Sequence, residues 1–116
     1  MSHPTNDPVA PELFAAVFQS LDLPIIVVDY DTRRVVAVNQ AFTNESGYTA
    51  EQLIGRETRE LSLFPSEAAR DQLYAKLAEQ KQLTTTVVGQ APDGNVAELT
   101  LCLSLAEVGS RRYMVI

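Results

Sequence analysis

One histidine, one cysteine and no tryptophan in 116 residues leave little from which to build reactive chemistry. A Cys/His zinc site needs three or four ligands, a disulfide needs two cysteines, and a Ser-His or Cys-His nucleophile needs an ordered imidazole. The sole histidine, His3, stands in MSHPTNDP, a polar stretch with two prolines that gives a ring nothing to lean on, so residues 1–10 are expected to be a disordered tail. Basic residues are also scarce. Nine of them against fifteen acidic ones leave a net charge of -6, which offers no footprint for a nucleic-acid backbone or an anionic lipid surface. Long apolar runs are missing as well: the longest aliphatic stretch, Ile25 to Val28, falls far short of the ~20 residues a membrane span requires. The first residues lack a basic start followed by an apolar stretch, so no secretory signal is read and the expected compartment is cytoplasmic.

What is present is ample apolar material for one domain. The hydrophobic fraction is 46%, and a chain of this length buries roughly two thirds of its unfolded surface. From Pro11 to Leu23, the residues Leu13, Phe14, Val17, Phe18 and Leu21 fall at helical spacing and form one apolar stripe. Ile25-Ile26-Val27-Val28 and Val35-Val36-Ala37-Val38 read as two strands buried on both faces, joined through turn-forming acids at Asp29 and Asp31. Asn39 is placed to cap a short helix over 40–45 that stops at Gly47. Thr49 and Gln52 have capping-box spacing for a second short helix that ends near Gly55.

Pro65 opens a longer helix reaching Gln80, with Ala69, Leu73 and Leu77 four residues apart and Tyr74 beside them. Beyond Gln82 the period becomes two. Leu83 to Gln90 and Asn95 to Ala106 form a hairpin across Pro92-Asp93-Gly94, and Arg112 to Ile116 is a last strand. Leu99, Leu101, Leu103 and Leu105 share one face of the long strand, opposite Glu98, Thr100, Cys102 and Ser104. The predicted fold is α+β, a single five-stranded antiparallel sheet with short helices on one face and an N-terminal capping helix at 11–23 outside a core domain at 24–116. No charged residue stands in an apolar run, so no buried charge is expected.

Asn39-Gln40-Ala41-Phe42, followed by Ser46-Gly47-Tyr48 and Glu51-Gln52-Leu53-Ile54-Gly55-Arg56, resembles the motif pattern of PAS domains. Pro92-Asp93-Gly94 is similar to that family's turn between its two long strands, and Tyr113 to Ile116 to its last strand. The resemblance implies a sensory or dimerisation module of a signal-transduction protein, such as a sensor histidine kinase, a cyclic-dinucleotide enzyme or a transcriptional regulator. It also implies that the chain continues, in the full-length protein, into a covalently linked output domain.

The resemblance further allows three kinds of bound molecule to be tested by residue. The usual haem ligand is a histidine on the long helix, and none stands between Pro65 and Gln80. Cys102 and Met114 are read as packing residues rather than axial ligands. The flavin light-sensor motif aligns with Gly55-Arg56-Glu57-Thr58-Arg59-Glu60-Leu61-Ser62, so the cysteine that attacks the flavin is replaced by Thr58, whose hydroxyl is too weakly acidic to form that adduct. Two polar readers of the flavin ring align with Gly89 and Leu99. Haem and photoactive flavin are therefore disfavoured, and no cofactor is assigned. A small metabolite would be lined by Val27, Phe42, Tyr48, Leu53, Leu61, Tyr74, Leu77, Leu101 and Leu103, with Asn39 and Thr58 as polar anchors. The competing reading is that these side chains simply fill the core.

No catalytic residue and no metal ligand is assigned. The pairs Asp29 with Asp31 and Glu57 with Glu60 read as solvated surface charge rather than acid/base couples. The expected partner is a second copy of the chain, met through Leu13, Phe14, Val17, Phe18 and Leu21. Nucleic acid and membrane are not expected partners. The alternatives are a ligand-free structural dimerisation domain and a flavin-binding redox sensor.

Overall fold

A computed structural model describes residues 9–60, 67–90 and 94–116. Helix α1 (Val9–Ser20) is followed by strands β1 (Ile26–Asp29) and β2 (Val35–Val38), helices α2 (Gln40–Ser46) and α3 (Ala50–Leu53), and a 3-10 turn at Thr58–Glu60. Helix α4 (Glu67–Gln80) and strands β3 (Gln82–Gln90), β4 (Val96–Val108) and β5 (Arg111–Val115) complete the chain. The five strands form one antiparallel sheet, as the sequence predicts, and their order is β2-β1-β5-β4-β3. Helix α1 begins two residues earlier than predicted, so Val9 and Ala10 belong to it, and His3 lies outside the described residues. No helix among the described residues is long and apolar enough to cross a membrane.

Local signals account for the short helices. The Asn39 side chain accepts a hydrogen bond from the Phe42 N–H at the start of α2, and Gly47 closes that helix at φ 81°, where a Cβ would be strained. The Thr49 and Gln52 side chains each accept from the other's backbone N–H, at 3.1 and 2.8 Å, making the complete capping box at α3. A helix of four residues has no intrinsic stability, so α3 is held by this box and by Leu53, which is fully buried.

The core lies between the sheet and α3 and α4. Ile26 and Val28 of β1, Leu103 of β4 and Met114 of β5 meet Leu53, Leu73, Tyr74 and Leu77 from the helices. Alternation holds along β4, where Leu101, Leu103 and Leu105 join the core while Thr100 and Cys102 are exposed on the other face. Strand β2 departs from the prediction of burial on both faces. Its register slips between Val27 and Val28, leaving Val36 without a cross-strand partner and 43% exposed. This extra residue explains how Val35 and Val38, three apart, both reach the core.

Two charged side chains are buried against expectation, Asp29 and Arg70. Asp29 is no solvated acid. Its Oδ1 accepts from the N–H groups of Asp31 and Thr32 at 2.9 and 3.0 Å, shaping the β1–β2 turn, and its Oδ2 accepts from Arg111 at 3.3 Å. The Thr32 N–H is the main cause that holds the Asp29 carboxyl below the ordinary carboxylate value, with burial opposing and Asp31 N–H and Arg111 assisting.

Asn39 is also buried, and its amide joins three segments. Oδ1 accepts from both Ile25 N–H (2.9 Å) and Phe42 N–H (3.0 Å), and Nδ2 donates to the Leu23 carbonyl (2.8 Å). Replacing it with alanine strands three backbone groups, so Asn39→Ala is expected to cost about 2–4 kcal/mol in urea denaturation, against about 1 kcal/mol for Thr49→Ala at its exposed cap. Because the Asp29 carboxyl is depressed in the folded state, its contribution is present above about pH 4 and lost as pH falls through the lowered value. Asp29→Asn keeps an acceptor for the turn but removes the charge. Its stability measured between about pH 2 and pH 6 should fall less steeply on acidification than the wild type's, and an identical acid slope would refute the assignment.

Candidate functional site

The inner face of the sheet collects most of the residues expected to line a ligand. Leu53, Tyr74, Leu77 and Leu103 are buried in one cluster, and Phe42, Tyr48 and Leu101 pack against it from its margin. Thr58 is buried at the start of the 3-10 turn. Three expectations need separate statement. Val27 sits between Ile26 and Val28 on β1 and so falls on the outer face of the sheet, away from the helices. Asn39 has both acceptor positions occupied by backbone N–H groups, so it serves as a structural junction and has no lone pair left for a ligand. Leu61 lies outside the described residues.

At the end of this cluster nearest the β1–β2 turn, the expected Tyr74 and Thr58 join a polar group whose other members, Tyr30, Arg33 and Arg112, the sequence did not single out. The Tyr74 hydroxyl donates to Thr58 Oγ1 at 2.9 Å, with both residues 1% exposed. The Tyr30 hydroxyl donates to the Tyr74 carbonyl at 3.1 Å. Between the two rings lies the Arg33 guanidinium, 4.7 Å from the Tyr30 centroid and 4.2 Å from that of Tyr74. Arg112 covers Tyr30 at 4.5 Å and pairs with Asp31. The result is an alternating stack, Arg112, Tyr30, Arg33, Tyr74, that runs from β5 through the turn to α4.

Arg33 is unusual in two further respects. Its backbone is left-handed, at φ 64°, where glycine is the ordinary occupant. Its Nη1 is buried and has no hydrogen-bond partner. The backbone around it is firmly set, because the Arg33 N–H donates to the Asp29 carbonyl at 2.8 Å and the Arg33 carbonyl accepts from the Thr58 N–H at 2.9 Å. Burial raises the Tyr74 hydroxyl's pKa above the ordinary tyrosine value, opposed by the Thr58 hydrogen bond and by the positive charges of Arg70 and Arg33. Arg70 itself pairs with Glu67 and Asp71 at 3.4 and 3.8 Å.

Arg59 is exposed and pairs with Glu57 at 3.3 Å, and Glu57 is shared with Arg34 at 3.7 Å. Arg56 pairs with Glu60 at 3.9 Å. Met114 is fully buried in the core as a packing residue, but Cys102 is not one: its place in the alternation of β4 leaves it exposed on the outer face.

The apolar stripe of α1 is left largely uncovered. Leu13, Phe14, Val17 and Leu21 are 54%, 69%, 44% and 42% exposed, and only Phe18 is half-buried. The helix is fastened to the core near its C-terminal end by Gln19, whose Nε2 donates to the Val38 carbonyl at 3.3 Å and whose Oε1 accepts from the Gln40 N–H at 2.9 Å. These two bonds flank Asn39. The outer sheet face carries Val27, Ala37, Val115, Ser104, Thr84 and Cys102, with Glu98 further along β4 on the same face.

No curated protein matches the chain. Among solved structures, it is similar to a PAS domain from a two-component sensor histidine kinase, with 15% identity over 92% of each chain and a TM-score of 0.80. A PAS domain of an HTR-like protein from Haloarcula marismortui gives 19% identity, a TM-score of 0.78 and coverage of 91% of this chain and 87% of that one. A LOV domain of a blue-light activated histidine kinase from Erythrobacter litoralis gives 23% identity and a TM-score of 0.66, over 83% of this chain and 94% of that one. These likenesses establish the fold, and a family profile described as the PAS fold matches residues 12–106, from within α1 to within β4. The chain belongs to the PAS family.

Proposed function

We propose that this chain is a non-enzymatic sensory module that works as a homodimer and relays a change of conformation to an output domain linked to it in the full-length protein. The exposed apolar face of α1 is the observation that carries this reading. Three large apolar side chains of α1 and Leu21 just beyond it stand in solvent, and burying them would recover about 25 cal/mol for each square ångström removed from water. The part of a second copy's outer sheet face around Val27, Ala37 and Val115, with its own α1, is a surface of matching character. Relatives of the same fold are domains of sensor kinases, which supports the signalling role.

The carboxylates do not suit catalysis. Asp29 is committed to the turn and Arg111, and Glu57 is shared by two arginines, so neither is poised to exchange a proton. Flavin photochemistry is disfavoured because Thr58 stands where the resemblance puts the reactive cysteine, and its hydroxyl already accepts from Tyr74.

Sedimentation of the wild-type domain should show a dimer, and the Phe14→Glu, Phe18→Glu double variant a monomer. A wild-type monomer or an unchanged dimer in the variant would count against the α1 interface. The purified domain should also be colourless, and absorption bands of haem or flavin in the visible range would overturn the absence of a chromophore.

A further inference from the structure

We infer that Arg33 and Thr58 are the receiving groups for a small oxyanion, a carboxylate- or phosphate-bearing metabolite, at the turn end of the core. This rests on the sensory reading above and names the chemical class of the ligand. The first observation is the orphan. A guanidinium N–H removed from water without an acceptor is costly, and the described residues supply Arg33 Nη1 with none. The second is the backbone. At φ 64° a glycine would be unstrained, whereas an L-residue there costs on the order of 1 kcal/mol. Stacking between Tyr30 and Tyr74 offsets part of that cost and fixes the plane of the guanidinium, but it leaves the Nη1 donors unused. The third is the neighbouring hydroxyl. Thr58 Oγ1 accepts from Tyr74, so its own proton is the one it has left to donate.

Arg33, over the face of the Tyr74 ring, and Thr58, at its hydroxyl, lie on segments joined by the Thr58 N–H to Arg33 carbonyl bond, and two such donors, one of them cationic, match an acceptor-only group of negative charge. The second guanidinium nearby, Arg70, adds to the positive potential felt at Tyr74. A neutral ligand would leave the charge of Arg33 unmatched, and a cation would meet two guanidinium groups.

The test is thermal unfolding of the full 116-residue chain in acetate, succinate or inorganic phosphate, against chloride at equal ionic strength. At a concentration ten times its dissociation constant, a bound oxyanion should raise the wild-type midpoint by about 5 °C. Arg33→Gln should abolish the rise, whereas Arg59→Gln, at an exposed and paired arginine, should keep it. Arg33→Gly provides the variant certain of its backbone, since glycine suits φ 64°; it should fold and still show no response. A rise confined to phosphate or to the carboxylates identifies which oxyanion source the site takes. No rise with any of the three, or an equal rise in Arg33→Gly, overturns the proposal. Native mass spectrometry of the same wild-type sample separates the two readings: a retained neutral molecule would overturn the oxyanion while leaving a sensory module intact.

Discussion

Asn39 occupies the point at which the capping helix, the first two strands and the first short helix are joined, and much of the rest depends on its amide. Its side chain holds the linker that leads from α1 into β1 through Leu23 and Ile25, while also starting α2 through Phe42. On either side of it, the backbone of Val38 and Gln40 is clasped by Gln19. An aspartate could accept the same two N–H bonds but could not donate to the Leu23 carbonyl, and a serine would be too short to span both segments. The position therefore demands an amide. Its energetic reach comes from being buried, where each unmade bond costs its full desolvation penalty.

The opposite end of the β1–β2 hairpin is organised by charge. All seven arginines lie there, on the turn, on the segment stitched to β2, at the start of α4 and on β5, together with seven acids at positions 29, 31, 57, 60, 67, 71 and 107. These balance, leaving two lysines against eight acids elsewhere, which is the whole of the net charge of -6. The exposed pairs among them contribute little individually. Their effect is local neutrality, which lets an anion approach a protein that is acidic as a whole.

Features set by neighbours in sequence were legible before the structure. The Asn39 cap, the Thr49–Gln52 box, the Gly47 stop and the leucine alternation of β4 each depend on residues within a few positions of one another. What escaped depends on distant pairing. Burial of Asp29 requires Arg111, 82 residues away, and the Arg33 stack requires Tyr74 of α4 and, through Tyr30, Arg112 of β5. The slip at Val36 exists only relative to β1, so no pattern in VVAV reveals it. Most of the expected lining was found on the inner face because apolar period and face go together. Val27 was misplaced because an unbroken aliphatic run does not tell its two faces apart.

These arrangements place the two ends of the hairpin in a definite mechanical relation. Strands β1 and β2 have four residues each, so about 13 Å separates the Arg33 turn from the Asn39 junction. The intervening strands are hydrogen-bonded to each other, and β1 also to β5, with Val28, Val35 and Val38 fully packed. A packed pair of short strands transmits a shift rather than absorbing it. The residue that can yield is Val36, unpaired and half in solvent, and it lies between the two ends. Movement of Arg33 would therefore reach α1 through Gln19 and Asn39 only to the extent that this single bulge does not take it up. The register slip in β2 is thus the least constrained point on the direct path between the turn and the Asn39 junction.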